Sequence, residues 1–274
     1  MKNGKIKGIM MNDWNPDLYM QFGSERTQPS IDLIDRINLV KPKTIIDIGC
    51  GPGNSTQVLV NRWSKAKITG LDSSSAMIKQ AKHDYPSQEW IVADALTYRS
   101  GIKYDIVFSN AAIQWIPNHE DLLKKFHGML SANGLIAIQI PLFWDMPLGK
   151  IINNTAKDAP WKIQTEGVSD LFTIYDYSFY YDLLSELFTS IEIWETKYFH
   201  ILDSHLSILK MIRSTGLKPY LEKLNNDSEK NQFEKEVLRK IENTYSKQKN
   251  GNVLLPFKRL FFIGYKSHNA IQSD

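Results

Sequence analysis

A chain of 274 residues, 42% hydrophobic and 23% charged, can bury a core of ordinary size without disulfide or metal staples. The 33 basic and 30 acidic residues are mixed along the chain and leave a net charge of +3, which excludes the concentrated basic stripe of a nucleic-acid binder. The single cysteine, Cys50, excludes an intrachain disulfide and a multi-cysteine metal cluster, and no stretch approaches the length of a membrane span. The segment Met1–Met10 is basic but lacks the apolar run of a signal peptide. These features predict a cytoplasmic, monomeric protein without nucleic-acid, membrane or metal partners. Residues 1–10 are expected to be a disordered leader, with translation starting at Met10 or Met11, residues 11–268 a single domain, and 269–274 a tail.

Taken in chain order, the first two-thirds alternate apolar runs with helical periodicity, the pattern of a parallel sheet with crossover helices. A helix is predicted from about Gln28 to Ile37, ending before Lys41-Pro42. The first strand, Thr44–Ile48, is followed by a glycine-rich turn and a helix from Ser55 to about Trp63. The second strand, Lys67–Leu71, ends at Asp72; Ser73, Ser74 and Ser75 then offer N-caps for a helix over Ala76–Lys82. The third strand, Glu89–Val92, ends at Asp94, and the fourth, Tyr104–Ser109, ends at Asn110. A helix from about His119 to Leu130 leads through Asn133-Gly134 into a fifth strand, Leu135–Ile140. Residues 141–180 have weak periodicity and many aromatics, and are expected to form capping helices. A helix over Tyr180–Leu187, a strand over Ile191–Ile201, a helical stretch over 204–248 and a final strand over Val253–Tyr265 complete the reading. The fold class is therefore α/β and Rossmann-like, and the helical segment 204–248 before the last strand reads as a helical lid or as a plain surface layer.

The strongest chemical signal is Asp47-Ile48-Gly49-Cys50-Gly51-Pro52-Gly53-Asn54-Ser55, between a strand and a helix. Glycines there let the backbone turn tightly and approach a ligand closely. They alternate rather than taking the wider spacing of a dinucleotide fingerprint, and no basic residue follows for a phosphate. About twenty residues on, Asp72 ends the second strand, where a carboxylate accepts hydrogen bonds from ribose hydroxyls. Asp47, Asp72, Asp94 and Asn110 thus stand at the ends of four consecutive strands, beside the crevice in which open α/β sheets bind ligands. Taken singly, Asp72 and Asp94 also suit plain capping roles. Asp47, inside an apolar strand, requires partners because a buried carboxylate is costly. Cys50 has no base near it in sequence and reads as a small buried hydrophobe. His119 and His127 fall on a helix expected to be exposed.

This arrangement resembles the class I methyltransferases, which use S-adenosylmethionine and hold no phosphate; a nicotinamide dehydrogenase is the weaker alternative. The resemblance implies that Asp47, Gly49, Gly51 and Gly53 meet the methionine end of the cofactor, that Asp72 binds the ribose, and that Met77, Asp94 and Ala95 surround the adenine. Tyr19, Arg26, Asn54, Ser73, Asn110 and Trp115 complete the expected cofactor set. Asn110-Ala111-Ala112 lacks the Asn-Pro-Pro-aromatic tetrad of enzymes that methylate base or side-chain nitrogens. More selectively, Asp13-Trp14-Asn15-Pro16, Asn110-Ala111-Ala112-Ile113-Gln114-Trp115, Tyr198-Phe199-His200, Thr215-Gly216-Leu217-Lys218-Pro219 and Arg259-Leu260-Phe261 make the chain similar to the trans-aconitate 2-methyltransferase family over nearly its whole length. It departs from that family at Lys218, where arginine is common, and over residues 141–180 beyond Trp144.

A carboxylate acceptor suits this reading, because the group is already anionic at neutral pH and needs no general base. No catalytic residue beyond proximity and orientation is expected. The candidates for holding the acid are Trp144, Tyr180, Tyr181, Tyr198, His200, Arg213, Lys218 and Arg259, of which Tyr198 and Arg259 stand out because they interrupt apolar strands. The expected activity is O-methylation of a small di- or tricarboxylic acid. Two alternatives are methylation of an acyl group on a carrier protein, for which Lys157 and Lys162 are a thin docking face, and a non-catalytic sensor of S-adenosylmethionine.

Overall fold

The computed structural model describes residues 23–39 and 41–267, with side chains from Thr27 onward. Tyr19, the expected leader and tail, and the side chain of Arg26 lie outside the described residues. Seven strands form one sheet in the order β3-β2-β1-β4-β5-β7-β6. β1 (Thr44–Ile48), β2 (Lys67–Asp72), β3 (Glu89–Val92), β4 (Tyr104–Asn110) and β5 (Leu130–Pro141) pair in parallel, and β7 (Val253–Tyr265) runs antiparallel between β5 and β6 (Ser190–Leu202). The apolar runs at β1, β4 and β5 are continuous because both faces of these central strands are covered, as parallel sheets require.

On one face, helices α1 (Gly23–Asp35) and α2 (Asn54–Arg62) pack Leu33, Ile34 and Leu59 against Ile45, Phe108 and Phe261. On the other, α4 (His119–Met129) and α6 (Tyr177–Leu187) bury Leu122, Phe126, Tyr180 and Leu184 against Val107, Ile138 and Phe262. Between α2 and α4 in chain order lies α3 (Ser75–Asp84), whose N-cap Ser74 accepts a hydrogen bond from the backbone N–H of Met77.

Beyond the carboxyl ends of the strands a third core forms. There α5 (Pro147–Lys157), α7 (His205–Arg213), α8 (Lys218–Lys223) and α9 (Asp227–Thr244) pack on the far end of the β6–β7 ribbon, burying Phe143, Ile152, Ile212, Phe233, Leu255 and Phe257. The stretch 204–248 is therefore three helices rather than one. It breaks at Ser214–Leu217, ahead of Pro219, and again at Asn226, whose side chain caps α9. The first helix begins at Gly23 rather than Gln28, with Pro29 inside it. No helix among the described residues is long and apolar enough to cross a membrane.

One expectation is reversed here. His119 is 0% exposed, its Nδ1 lying 2.6 Å from the Tyr180 hydroxyl and its Nε2 2.8 Å from the Ile113 carbonyl. The polar run His119-Glu120-Asp121 suggested a solvated helix start, yet the α4 N-terminus is tucked under α6, and burial holds the imidazole pKa below its ordinary value. His127 is half-buried, edge-on to Phe188.

Candidate active site

The turn after β1 is built by glycine. The Gly49 and Cys50 N–H groups donate to the Leu71 carbonyl at 2.7 and 3.1 Å, which folds the chain back across the end of β2. Gly49 has φ +71°, and a Cβ there would stand 2.2 Å from the Ala112 Cβ, so the turn and the loop after β4 touch only because that atom is missing. Gly51 has φ +55° and would direct a Cβ into open space at the cavity, so its role is conformational and its backbone is presented to the opening.

Around this turn the strand-end acids divide their work. Asp72 accepts from the Gly51 N–H at 2.9 Å through Oδ2 and from the Ser74 N–H at 2.8 Å through Oδ1, locking β2, the glycine turn and α3 together at the cavity wall. Asp94 accepts from the N–H groups of Leu96 and Thr97 and also lines the cavity, so its capping and lining roles coexist. Asp47 does not line it. This carboxylate lies behind the turn, 0% exposed, and Oδ2 accepts from the Ser55 and Thr56 hydroxyls at 2.6 and 2.7 Å, which supplies the partners a buried carboxylate needs. Burial raises its pKa to about 6 against the opposing pull of the two hydroxyls, with Asp72 adding to the rise. Cys50 is buried, and burial together with Asp47 and Asp72 pushes its thiol well up, which leaves little thiolate for nucleophilic work.

The cavity holds about 330 Å³ and runs along the carboxyl ends of β1, β2, β4 and β5 and the amino-terminal half of the antiparallel β7. At the turn end Gly49, Gly51, Asp72, Ser73, Met77, Asp94 and Ala95 form its wall, and Asn110 and Trp115 stand at its middle. Gly53 and Asn54 stand back from this space: Gly53 is the N-cap of α2 against Trp90 and Tyr85, and Asn54 borders a small recess of about 20 Å³ behind the turn. Among the described residues the turn-end wall carries carboxylates, amides and apolar groups but no lysine or arginine. That donor and acceptor set fits a nucleoside with free hydroxyls and no phosphate, and the open space beyond Gly51 admits one against the backbone.

The loop after β4 forms the middle wall. Ala111 has φ +52°, its N–H donates to the Gln139 carbonyl at 2.9 Å, and its own carbonyl accepts from Gln114 Nε2 at 2.7 Å. His119 braces the same loop from below through the Ile113 carbonyl.

At the far end the lining changes to Phe143, Phe172, Met211, Ile212, Thr215, Gly216, Phe257 and Arg259. Gly216 lets the Phe143 ring close against the α7–α8 junction, since a Cβ there would lie 2.6 Å from that ring. Trp115 and Phe172 rings meet at 4.5 Å, and Phe143 stacks on Phe172 at 5.7 Å. Arg259, 4% exposed, is the one lysine or arginine among the described lining residues. Its Nη1 donates to Gln139 Oε1 at 3.2 Å, and its guanidinium carbon sits 4.6 Å from the Phe257 ring centre.

Of the expected acid-holding residues, only Arg259 reaches the cavity. Tyr180 is in the core, stacked on Phe262 and bonded to His119, and burial drives its hydroxyl pKa upward. Tyr181, one position on along α6, is 54% exposed. Tyr198 donates to Asp32 on α1. His200 is buried beside Phe257, Trp144 packs outside Phe143 and Phe172, Arg213 pairs with Glu234 at 2.8 Å, and Lys218 pairs with Glu222 at 3.4 Å. None of these seven lines the space. Conversely, Gln114 and Gln139 carry roles that were not anticipated. Gln139 gives the same signal that raised Arg259, a polar residue interrupting an apolar strand.

Residues 46–138 match the family described as a methyltransferase domain. A trans-aconitate 2-methyltransferase from one Escherichia coli strain is 38% identical over 253 residues, covering 92% of this chain and 98% of that protein. Another, from a second Escherichia coli strain, is 36% identical over 257 residues, covering 94% and 100%. Among solved structures, a phosphoethanolamine N-methyltransferase 2 of Haemonchus contortus superposes with TM-score 0.59 at 17% identity, over 92% of this chain and 57% of that one. The YcgJ protein of Bacillus subtilis gives TM-score 0.57 at 12% identity, over 88% and 99%, which extends the shared fold to nearly the full chain. The similarity to the Escherichia coli proteins covers nearly the whole chain, and the chain belongs to the trans-aconitate 2-methyltransferase family of class I methyltransferases.

Proposed function

We propose that this protein transfers a methyl group from S-adenosylmethionine to a carboxylate of trans-aconitate. The observation that carries the reading is a single cavity with a phosphate-free nucleoside cradle at one end and a buried arginine at the other. Family membership supports the acceptor, since the relatives that span nearly the whole chain bear that activity in their names.

In this reading Gly49, Gly51, Asp72 and Ser73 hold the sugar and methionine portions, while Met77, Asp94 and Ala95 surround the base. Asp47 acts behind the turn, fixing the start of α2 through Ser55 and Thr56. When bound, S-adenosylmethionine supplies an electrophilic methyl whose bond to sulfur breaks as the bond to the carboxylate oxygen forms. The chain's own task is orientation and exclusion of water. Arg259 holds a carboxylate of the acid that does not react, through charge-assisted hydrogen bonds strengthened by burial. Phe143, Phe172, Trp115, Met211 and Ile212 wall the acceptor end with apolar surface and keep water from the reacting oxygen. The stretch from Met211 to Gly216, at the α7–α8 junction, closes that end and serves as the lid. No proton has to move, so no general base is assigned.

The test is methyl transfer from labelled S-adenosylmethionine to a panel of di- and tricarboxylic acids. Trans-aconitate is expected to be the best acceptor, giving a base-labile ester product. Binding of S-adenosylmethionine with no transfer to any free acid would overturn the reading and favour a carrier-bound acyl group or a sensor.

A further inference from the structure

One segment lines the whole middle of the cavity. Every residue from Asn110 to Pro117 borders the space except Ile113, which is 0% exposed and packs into the core. The loop is bracketed by Ala111 at φ +52° and Asn118 at φ +55°, the two non-glycine residues of left-handed backbone among the described residues. Such conformations cost energy in an L-residue and persist only where the surroundings hold them. The groups that hold this loop are therefore part of the site's construction.

From the core side the loop is held by His119. Its Nε2 lies 2.8 Å from the Ile113 carbonyl, the oxygen that also accepts the Ile116 N–H, and its Nδ1 lies 2.6 Å from the Tyr180 hydroxyl. A carbonyl can only accept, so Nε2 carries the hydrogen. In a neutral imidazole Nδ1 is then the acceptor, and the Tyr180 hydroxyl donates to it. Complete burial and a place in the first turn of α4 both disfavour the charged ring. Tyr180 is itself stacked on Phe262 of β7, with ring centres 4.9 Å apart, so the sheet sets the direction of the imidazole N–H. A second tie reaches the loop from the segment before α6. The Thr173 N–H donates to the Gln114 carbonyl at 2.8 Å, next to Phe172, whose ring meets Trp115.

We propose that His119, oriented by Tyr180, is a positioning residue for the methyl transfer: it fixes the Ile113 carbonyl and, through it, the wall that aims the acceptor oxygen. The imidazole does not line the cavity. Its effect passes through the backbone of residues 111–117, which stand between the glycine turn and Arg259. A small displacement of this wall misaligns the two reactants without removing a group that binds either, so the loss falls on the transfer step and not on affinity. This inference rests on the proposed methyl transfer between the two ends of the cavity.

The experiment compares wild type, His119→Asn, His119→Gln and Tyr180→Phe. Single-turnover transfer from labelled S-adenosylmethionine to trans-aconitate is measured below the unfolding transition of each protein, beside KM for the acid and affinity for S-adenosylhomocysteine by calorimetry. A glutamine amide N–H reaches about as far as Nε2 of histidine, whereas that of asparagine stops short of the Ile113 carbonyl. His119→Asn is expected to slow the transfer by roughly 30-fold, with KM and S-adenosylhomocysteine affinity within about three-fold. His119→Gln is expected to recover the rate to within about three-fold of wild type. Tyr180→Phe, which keeps the bond to Ile113 and removes only the group that orients the ring, is expected to slow the transfer by about five-fold. A purely structural role would lower the unfolding temperature and leave the folded protein's rate unchanged. The inference is overturned if His119→Asn transfers as fast as wild type, if His119→Gln is no faster than His119→Asn, or if rate and both affinities fall together. Tyr180→Phe at the wild-type rate also overturns it, a result that stands even if the Asn variant fails to fold. Wild-type turnover matched by the variants removes this inference alone. A wild type that transfers no methyl group to any acid removes the assigned reaction and the inference with it.

Discussion

The two ends of the cavity are made by different means. At the turn end the wall is backbone and short side chains: glycine amides, the ends of β2 and β4, and carboxylates that bond to main chain within a few residues or across one neighbouring strand. At the far end the wall is assembled from β5, β7, the 141–180 segment and the α7–α8 junction, elements spread over more than one hundred residues of chain and brought together by a core of their own. The first end depends on local geometry and tolerates little change of residue type. The second depends on packing, and among its described residues a single buried cation, Arg259, carries its charge.

If that division is right, damage at the two ends separates cleanly. The largest effect is expected for Asp72→Ala. The carboxylate holds both the Gly51 and Ser74 amides in place and faces the cavity, so its loss removes two charge-assisted contacts along with any made to the ligand. S-adenosylhomocysteine affinity, measured by calorimetry, is expected to fall by roughly 100-fold, about 3 kcal/mol. Retained affinity would mean that the glycine turn holds the ligand without this acid.

Arg259→Ala is the matching change at the other end. It is expected to raise KM for the acid by roughly 30-fold, the scale of one or two charge-assisted hydrogen bonds, with S-adenosylhomocysteine affinity nearly unchanged. An equal loss of both affinities would break the division, because it would show the arginine supporting the whole cavity through Gln139.

Asp47 gives a pH signature of the turn end. Its pKa stands at about 6 in the folded chain against 3.8 for an ordinary aspartate, so the folded state holds a proton that the unfolded state has released across that window. Stability from this group is therefore fully present below about pH 4, is lost as pH rises toward 6, and stays lost above. Asp47→Asn keeps a side-chain acceptor for Ser55 and Thr56 but cannot ionise. The variant is expected to gain on wild type by roughly 2 kcal/mol between pH 4 and pH 8 in thermal unfolding. Parallel stability curves over that range would show that Asp47 ionises as easily folded as unfolded.

The same division explains what could be read from the residues alone. Gly49, Gly51, Asp72, Asp94 and Asn110 were legible because a strand end fixes their place within a few residues, whatever the rest of the chain does. Arg259 was legible because a cation inside an apolar strand has few harmless destinations. Tyr180 was not, because its helix face is decided by contact with His119 and Phe262, residues 61 and 82 positions away. Arg213 was drawn to Glu234 on α9, a partner that no local pattern announces, while Lys218 pairs with Glu222 one turn on along α8. The sheet itself followed from apolar runs and turn residues; the breaks inside 204–248 depended on Gly216, Pro219 and the Asn226 cap, signals outweighed by a helical composition.

Tyr198 gives the smallest expected effect and the finest test. It interrupts β6 as Arg259 interrupts β7, and its ring centre lies 5.9 Å from the arginine's guanidinium carbon, yet its hydroxyl is committed to Asp32 on α1 and it does not line the cavity. Tyr198→Phe keeps the ring beside Arg259 and removes only that hydroxyl. Unfolding stability is expected to drop by about 1 kcal/mol, the scale of one hydrogen bond, with KM for the acid changed by less than about two-fold. A rise in KM approaching that of Arg259→Ala would place the hydroxyl in the acceptor's anchor. The boundary between cavity wall and supporting layer would then have to move outward by one strand, from β7 to β6.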